Sequence, residues 1–70
     1  MMLNERDVVA LTEDRPDEGL RIGDVGAVIH CYRDADMFEI EFIDENGERK
    51  CVASVPASQI LKLNLLSLSA

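Results

Sequence analysis

The chain has no apolar run long enough to cross a membrane. A spanning helix needs about 18 or more consecutive apolar residues, and polar or charged side chains interrupt every hydrophobic stretch of these 70 residues well before that. Bases are scarce: seven Lys and Arg stand against 14 Asp and Glu, for a net charge of −7. Affinity for nucleic acid comes largely from neutralising phosphates with Lys and Arg. An acidic chain is therefore not expected to bind RNA or DNA, and anionic membrane surfaces are disfavoured for the same reason. Soft metal ligands are scarce too. His30, Cys31 and Cys51 are the whole supply, whereas structural zinc takes four Cys or His, commonly in close pairs. No metal and no cofactor are expected. The first residues, Met1-Met2-Leu3-Asn4-Glu5-Arg6-Asp7, lack the charged-then-apolar layout of a secretion signal. A cytoplasmic location is the resulting expectation.

What is present is a hydrophobic content of 47%, enough for a folded core rather than a disordered chain. Seventy residues make one domain, near the lower size limit for an unaided core. The spacing predicts an all-β chain. Residues 6–11 form a first strand, followed by a long acidic loop over residues 12–19 in which Pro16 and Gly19 disfavour regular structure. Gly19-Leu20-Arg21-Ile22-Gly23-Asp24-Val25-Gly26 reads as a tight turn opening a second strand over residues 25–32, because Gly reaches positive φ without strain. In the third strand, residues 37–43, Phe38, Ile40 and Phe42 alternate with Glu39 and Glu41, so one face is dry and the other wet. Asp44-Glu45-Asn46-Gly47 is the strongest hairpin signal. The fourth strand runs from residue 48 to about 55, one helical turn covers residues 56–59, and a closing strand takes residues 60–63. Five short strands with a turn before the last curl into a small SH3-like barrel over residues 1–63. An apolar tail occupies residues 64–70.

A four-residue hairpin loop pairs Phe42 with Arg49, Glu41 with Lys50 and Ile40 with Cys51, and keeps Lys50 on the wet face. A three-residue loop would bury Lys50. The expected core is Val8, Leu11, Val25, Val28, Cys31, Phe38, Ile40, Phe42, Cys51, Ala53, Val55, Ile60 and either Leu61 or Leu63.

Catalytic constellations are weak. Cys31 beside His30 suggests a thiol and its base, yet neighbours on a strand point to opposite faces, so the imidazole is badly placed to deprotonate the thiol. Free cysteines usually serve as small buried apolar residues. The paired carboxylates Glu13-Asp14, Asp17-Glu18, Asp34 with Asp36, and Asp44-Glu45 are all expected in loops, while acid catalysis wants one buried carboxyl beside an ionised one. Gly23-Asp24-Val25-Gly26 precedes a strand and not a helix, which excludes a phosphate-binding loop. The chain is read as no enzyme.

Three stretches carry a resemblance: Asp7-Val8-Val9-Ala10-Leu11, then Gly19-Leu20-Arg21-Ile22-Gly23-Asp24-Val25-Gly26-Ala27-Val28, then Glu39-Ile40-Glu41-Phe42-Ile43-Asp44-Glu45-Asn46-Gly47. In order and spacing they resemble the bacterial domain-of-unknown-function family 4926, over roughly residues 5 to 63. The resemblance implies a small SH3-like fold and no known activity. Gly23-Asp24-Val25-Gly26-Ala27-Val28 is also similar to the turn and strand of KOW modules, where RNA or protein binding is implied, though their basic loops are missing here. A fainter similarity is to the barrel of the nitrile hydratase β subunit, a non-catalytic partner domain. Shared fold carries no function across.

The expectation is a non-catalytic protein-interaction module. Two contact surfaces present themselves: the acidic loop, with Glu13, Asp14, Asp17 and Glu18, and the apolar tail, with Leu65, Leu66 and Leu68. Exposed apolar clusters commonly mark interfaces, and the tail either folds over its own barrel or joins a two-fold homodimer. Two alternatives are an accessory subunit neutralising a basic partner such as a nuclease toxin, and a KOW-type nucleic-acid binder, which the charge opposes.

Overall fold

The β-branched and aromatic residues that favour strands set the architecture of the computed structural model, which describes residues 3–63. The strands are β1 (Val8–Leu11), β2 (Val25–Tyr32), β3 (Met37–Ile43), β4 (Arg49–Pro56) and β5 (Ile60–Lys62). They form one antiparallel sheet in the order β4-β3-β2-β1-β5. β1 lies between the second strand and the last. Among the described residues the only helical segments are 3₁₀ turns at Pro16–Glu18, Arg33–Ala35 and Ala57–Gln59. The last is the expected turn before β5. The first lies in the loop expected to be irregular: Pro16 starts it with a preset φ, and Gly19 ends it at φ 72°.

The inner face of the sheet buries Val9, Leu11, Val28, Phe38, Ile40, Phe42, Ala53, Val55 and Ile60, with Leu3 and Leu20 closing the ends. This corrects the expected core in several places. Val9 is inward and Val8 half-buried on the other face, because side chains two apart share a face and Leu11 is inward. By the same parity Gly26 and Val28 face in and Val25 does not. Leu61 is 56% exposed, Leu63 is half-buried, and Cys31 and Cys51 are half-buried against the core. Both thiols are free.

Two bulges set the registers. In β2, Val28 pairs with Ile40 but His30 pairs with Glu39, so Ile29 is an extra residue. An extra residue switches the parity of the residues after it, which is why Val28 and Cys31, three apart, both face inward. In β4, Ile43 pairs with Arg49 but Phe42 pairs with Cys51, and Lys50 is the extra residue. The hairpin therefore has the three-residue loop that sequence reasoning discarded: Asp44 N–H donates to Glu48 O at 2.8 Å, with Gly47 at φ 80°. The bulge lifts Lys50 out of the ladder and avoids its burial. Ile40 consequently pairs with Ala53, and Glu41 with Val52, not with Cys51 and Lys50. The shift is two residues, so Ala53 and Val55 remain inward.

Candidate interaction surface

β1 reads Val8-Val9-Ala10-Leu11 and the start of β2 reads Val25-Gly26-Ala27-Val28. Neither alternates apolar with polar. Strands that read as continuous apolar runs are ordinarily covered on both faces. Here one face is the core, and the other holds Val8, Ala10, Val25 and Ala27. The registers extend that second face across the sheet. Val8 pairs with Ala27, and Ala10 with both Val25 and Leu61. Leu63 N–H donates to Val8 O at 2.9 Å, which sets Leu63 beside Val8. Ala27 pairs with Glu41, and Glu41 with Val52. Carried one step, the same register sets Val25 beside Ile43. The outer face is thus a largely apolar band running from Leu61 on β5, and Leu63 just after it, to Ile43 on β3 and Val52 on β4. Leu61 is 56% exposed, Val52 41% and Ile43 39%.

Charged pairs interrupt it and lie beside it: Glu41 stands within the band, between Ala27 and Val52, whereas Lys62 is opposite the inward Val9 and Asp24 is beside the inward Leu11. Asp7 meets Lys62 at 3.5 Å, Asp24 meets Lys50 at 3.0 Å, and Glu41 meets Arg49 at 2.9 Å. The bulge in β4 makes the last two, since it turns Arg49 to the outer face and frees Lys50 to reach Asp24. Asp24 Oδ2 also accepts the Arg21 backbone N–H at 2.9 Å. That hydrogen bond first, and the Lys50 ammonium second, hold its carboxyl below the usual aspartate value.

The four acids of the first loop do not act together. Asp14 accepts the Ile22 N–H at 2.8 Å, so it shapes the loop. Glu18 pairs with Arg15. Glu13 and Asp17 are exposed. Sequence reasoning missed Arg15, whose guanidinium also donates to Gln59 Oε1 at 2.7 Å and to Ser54 O at 3.1 Å. It ties the loop to β4 and to the turn before β5. Leu65, Leu66 and Leu68 lie outside the described residues.

The polar corner of β2 and β3 holds His30, Tyr32 and Glu39. The two rings meet edge to face at 4.5 Å, and Tyr32 Oη donates to Glu39 Oε2 at 3.2 Å. That hydrogen bond, with the carboxylate's charge, raises the phenol above its ordinary value. Cys31 turns away from this corner, pairing with Phe38 on the inner side, and its Sγ lies 3.6 Å from Leu3 O. His30 and Cys31 therefore face opposite sides. Among the described residues no three His, Cys, Asp or Glu side chains are grouped to hold a metal, and no helix is long and apolar enough to cross a membrane.

A family model described as a domain of unknown function (DUF4926) matches residues 5–62. The chain belongs to this family. No curated protein and no solved structure matches it. The DUF4926 span includes all five strands and ends on Lys62, the last residue of β5. It therefore contains the whole outer band except Leu63, and it stops short of the leucine-rich tail.

Proposed function

We propose that this DUF4926 domain is a non-catalytic protein-interaction module that binds through the outer face of its sheet. The observation that carries the reading is the second apolar face. An antiparallel sheet needs only one dry side, and a wet outer side ordinarily carries polar residues in alternation. β3 follows that rule with Glu39 and Glu41, whereas β1, the first half of β2 and β5 break it with Val8, Ala10, Val25, Ala27 and Leu61. Contiguous apolar patches on a folded domain commonly mark contact surfaces.

A photo-crosslinking amino acid placed at Leu61, with a control at Glu45 on the β3–β4 turn, tests this in the native cell. Position 61 is expected to give a discrete protein adduct that position 45 does not. Equal or absent adducts at the two positions would overturn the reading.

A further inference from the structure

We infer that Asn46, in the turn between β3 and β4, is a site of covalent modification by the chain's own backbone, and that Asp44 governs its rate. An asparagine side-chain amide is open to attack by the backbone nitrogen of the next residue. Glycine in that next position puts no side chain in the way and lets the backbone reach the geometry required. Of the asparagines at positions 4, 46 and 64, only Asn46 precedes a glycine. Asn46 and Gly47 are both exposed, and a Cβ at Gly47 would meet nothing within 4 Å. Water and hydroxide therefore reach the reacting atoms, and no neighbour obstructs ring closure. Asp44 supplies the restraint. Its carbonyl oxygen accepts the Gly47 N–H at 3.0 Å, which engages the nitrogen that must react. Its Oδ1 accepts the N–H groups of Asn46 at 2.8 Å and Glu48 at 3.0 Å. Attack has to wait for the turn to open, and local openings of this kind are limited by the hydrogen bonds that they break.

The chemistry needs only water and its hydroxide. Hydroxide takes the Gly47 amide proton, the nitrogen bonds to Asn46 Cγ, and the Cγ–Nδ2 bond breaks. Ammonia leaves with a proton returned from water. A second water then opens the cyclic imide at either carbonyl. Opening on the side-chain carbonyl gives aspartate. Opening on the main-chain carbonyl gives isoaspartate, in which the backbone runs through Cβ and Cγ and is longer by a carbon. Either product adds one negative charge to the chain's −7, in a turn that already holds Asp44, Glu45 and Glu48. Like charges crowded together oppose a compact arrangement. The longer backbone also moves Gly47 off the spacing that meets Asp44 O. The Lys50 bulge is fitted to the three-residue loop, so isoaspartate is expected to loosen this hairpin.

The test is mass spectrometry with peptide mapping on the full chain, aged at mildly alkaline pH. The mass should rise by about 1 Da as amide becomes acid, and the gain should map to the peptide that holds Asn46. Asn46→Ser should abolish it. Asp44→Ala should speed it about tenfold, in keeping with the loss of hydrogen bonds to a charged acceptor. Asp44→Ser, whose hydroxyl accepts the same N–H groups more weakly, should fall between, and it decides the case if Asp44→Ala does not fold. The parent aged in concentrated urea should react faster than the folded parent. Aged chains, separated by their extra charge, should melt below unaged ones. A mass gain that maps to Asn4 or Asn64, or none at position 46 even in urea, would overturn the site. Equal rates in folded and unfolded parent, or a rate unmoved by Asp44→Ser, would overturn the role of Asp44. An aged chain that melts with the unaged one would overturn the loosening of the hairpin.

Discussion

Arg15 in the first loop and Gln59 in the turn before β5 are 44 positions apart, and the guanidinium donates to the amide oxygen at 2.7 Å. The same side chain reaches Ser54 O at 3.1 Å and pairs with Glu18. One fork thus joins a loop that has few buried residues of its own to both ends of the β4–β5 connection. Arg15→Ala is expected to lower stability by about 1–2 kcal/mol, toward the low end for charged hydrogen bonds because the site is partly wet. Arg15→Lys should recover less than half, since an ammonium cannot serve three acceptors in that planar geometry. Urea unfolding of the two variants checks both values.

Gly26 sits between Val9 and Phe42 in the middle of the sheet. A Cβ there would lie 2.6 Å from Glu41 O and 2.7 Å from Ile40 Cγ2. The first obstacle is backbone and the second is the most buried part of the core. Gly26→Ala should therefore cost about 2–3 kcal/mol, in the range of overpacked interiors, and in so small a domain that is a large part of the total. A melting temperature equal to the parent's would show that β3 can retreat at no cost.

Asp24 links acid stability to the β4 bulge. Its folded carboxyl titrates below the ordinary 3.8, so the ionised form is favoured by folding. The contribution is fully present above that ordinary value and is lost as pH falls through the lowered one. Asp24→Asn should destabilise at pH 7 and lose most of that penalty at pH 2. Lys50→Met should give a smaller version of the same pattern, since the Arg21 N–H contributes more. Denaturation at the two pH values measures the difference, and a penalty that does not change with pH would rule out Asp24 as its source.

Tyr32 is the single tyrosine and the chain has no tryptophan, so phenolate absorbance reports one group. Its midpoint should lie above the ordinary 10.0, because the neutral hydroxyl donates to Glu39 and the carboxylate opposes a second negative charge. Glu39→Gln removes the charge and should bring the midpoint down. An unchanged midpoint in that variant would mean that the Tyr32–Glu39 contact does not persist in solution.

Strand positions were largely legible in the sequence. β2 and β3 begin and end where their β-branched and alternating residues do, because side-chain period and turn chemistry are local properties. Register was not legible. Ile29 and Lys50 are ordinary strand residues, and nothing local marks either as the one left out of its ladder. At Lys50 the competing constraint was burial: a three-residue turn satisfies Gly47 and Asp44, and the bulge is what reconciles that turn with a charged side chain. Leu20 was hidden for a different reason. It lies in a loop by sequence, yet its backbone pairs with Arg15 and its side chain is 1% exposed. Long-range closure decides such a position. The outer band was half legible, since an apolar run on both parities of β1 was visible, but only the register shows that β5 and β3 continue it.

The bulge at Lys50 also bears on how the protein survives at high concentration. β4 is eight residues long and lies at one margin of the sheet, and a long straight margin is a template for runaway strand addition and fibre growth. Here the template is spoiled along its length. Lys50 breaks the spacing at one end, the Arg15 guanidinium occupies the Ser54 carbonyl, and Pro56 has no N–H to offer at the other. An incoming strand finds no uninterrupted row of donors and acceptors, so polymerisation through this margin is blocked by the same residue that places Arg49 and Lys50 beside their acids.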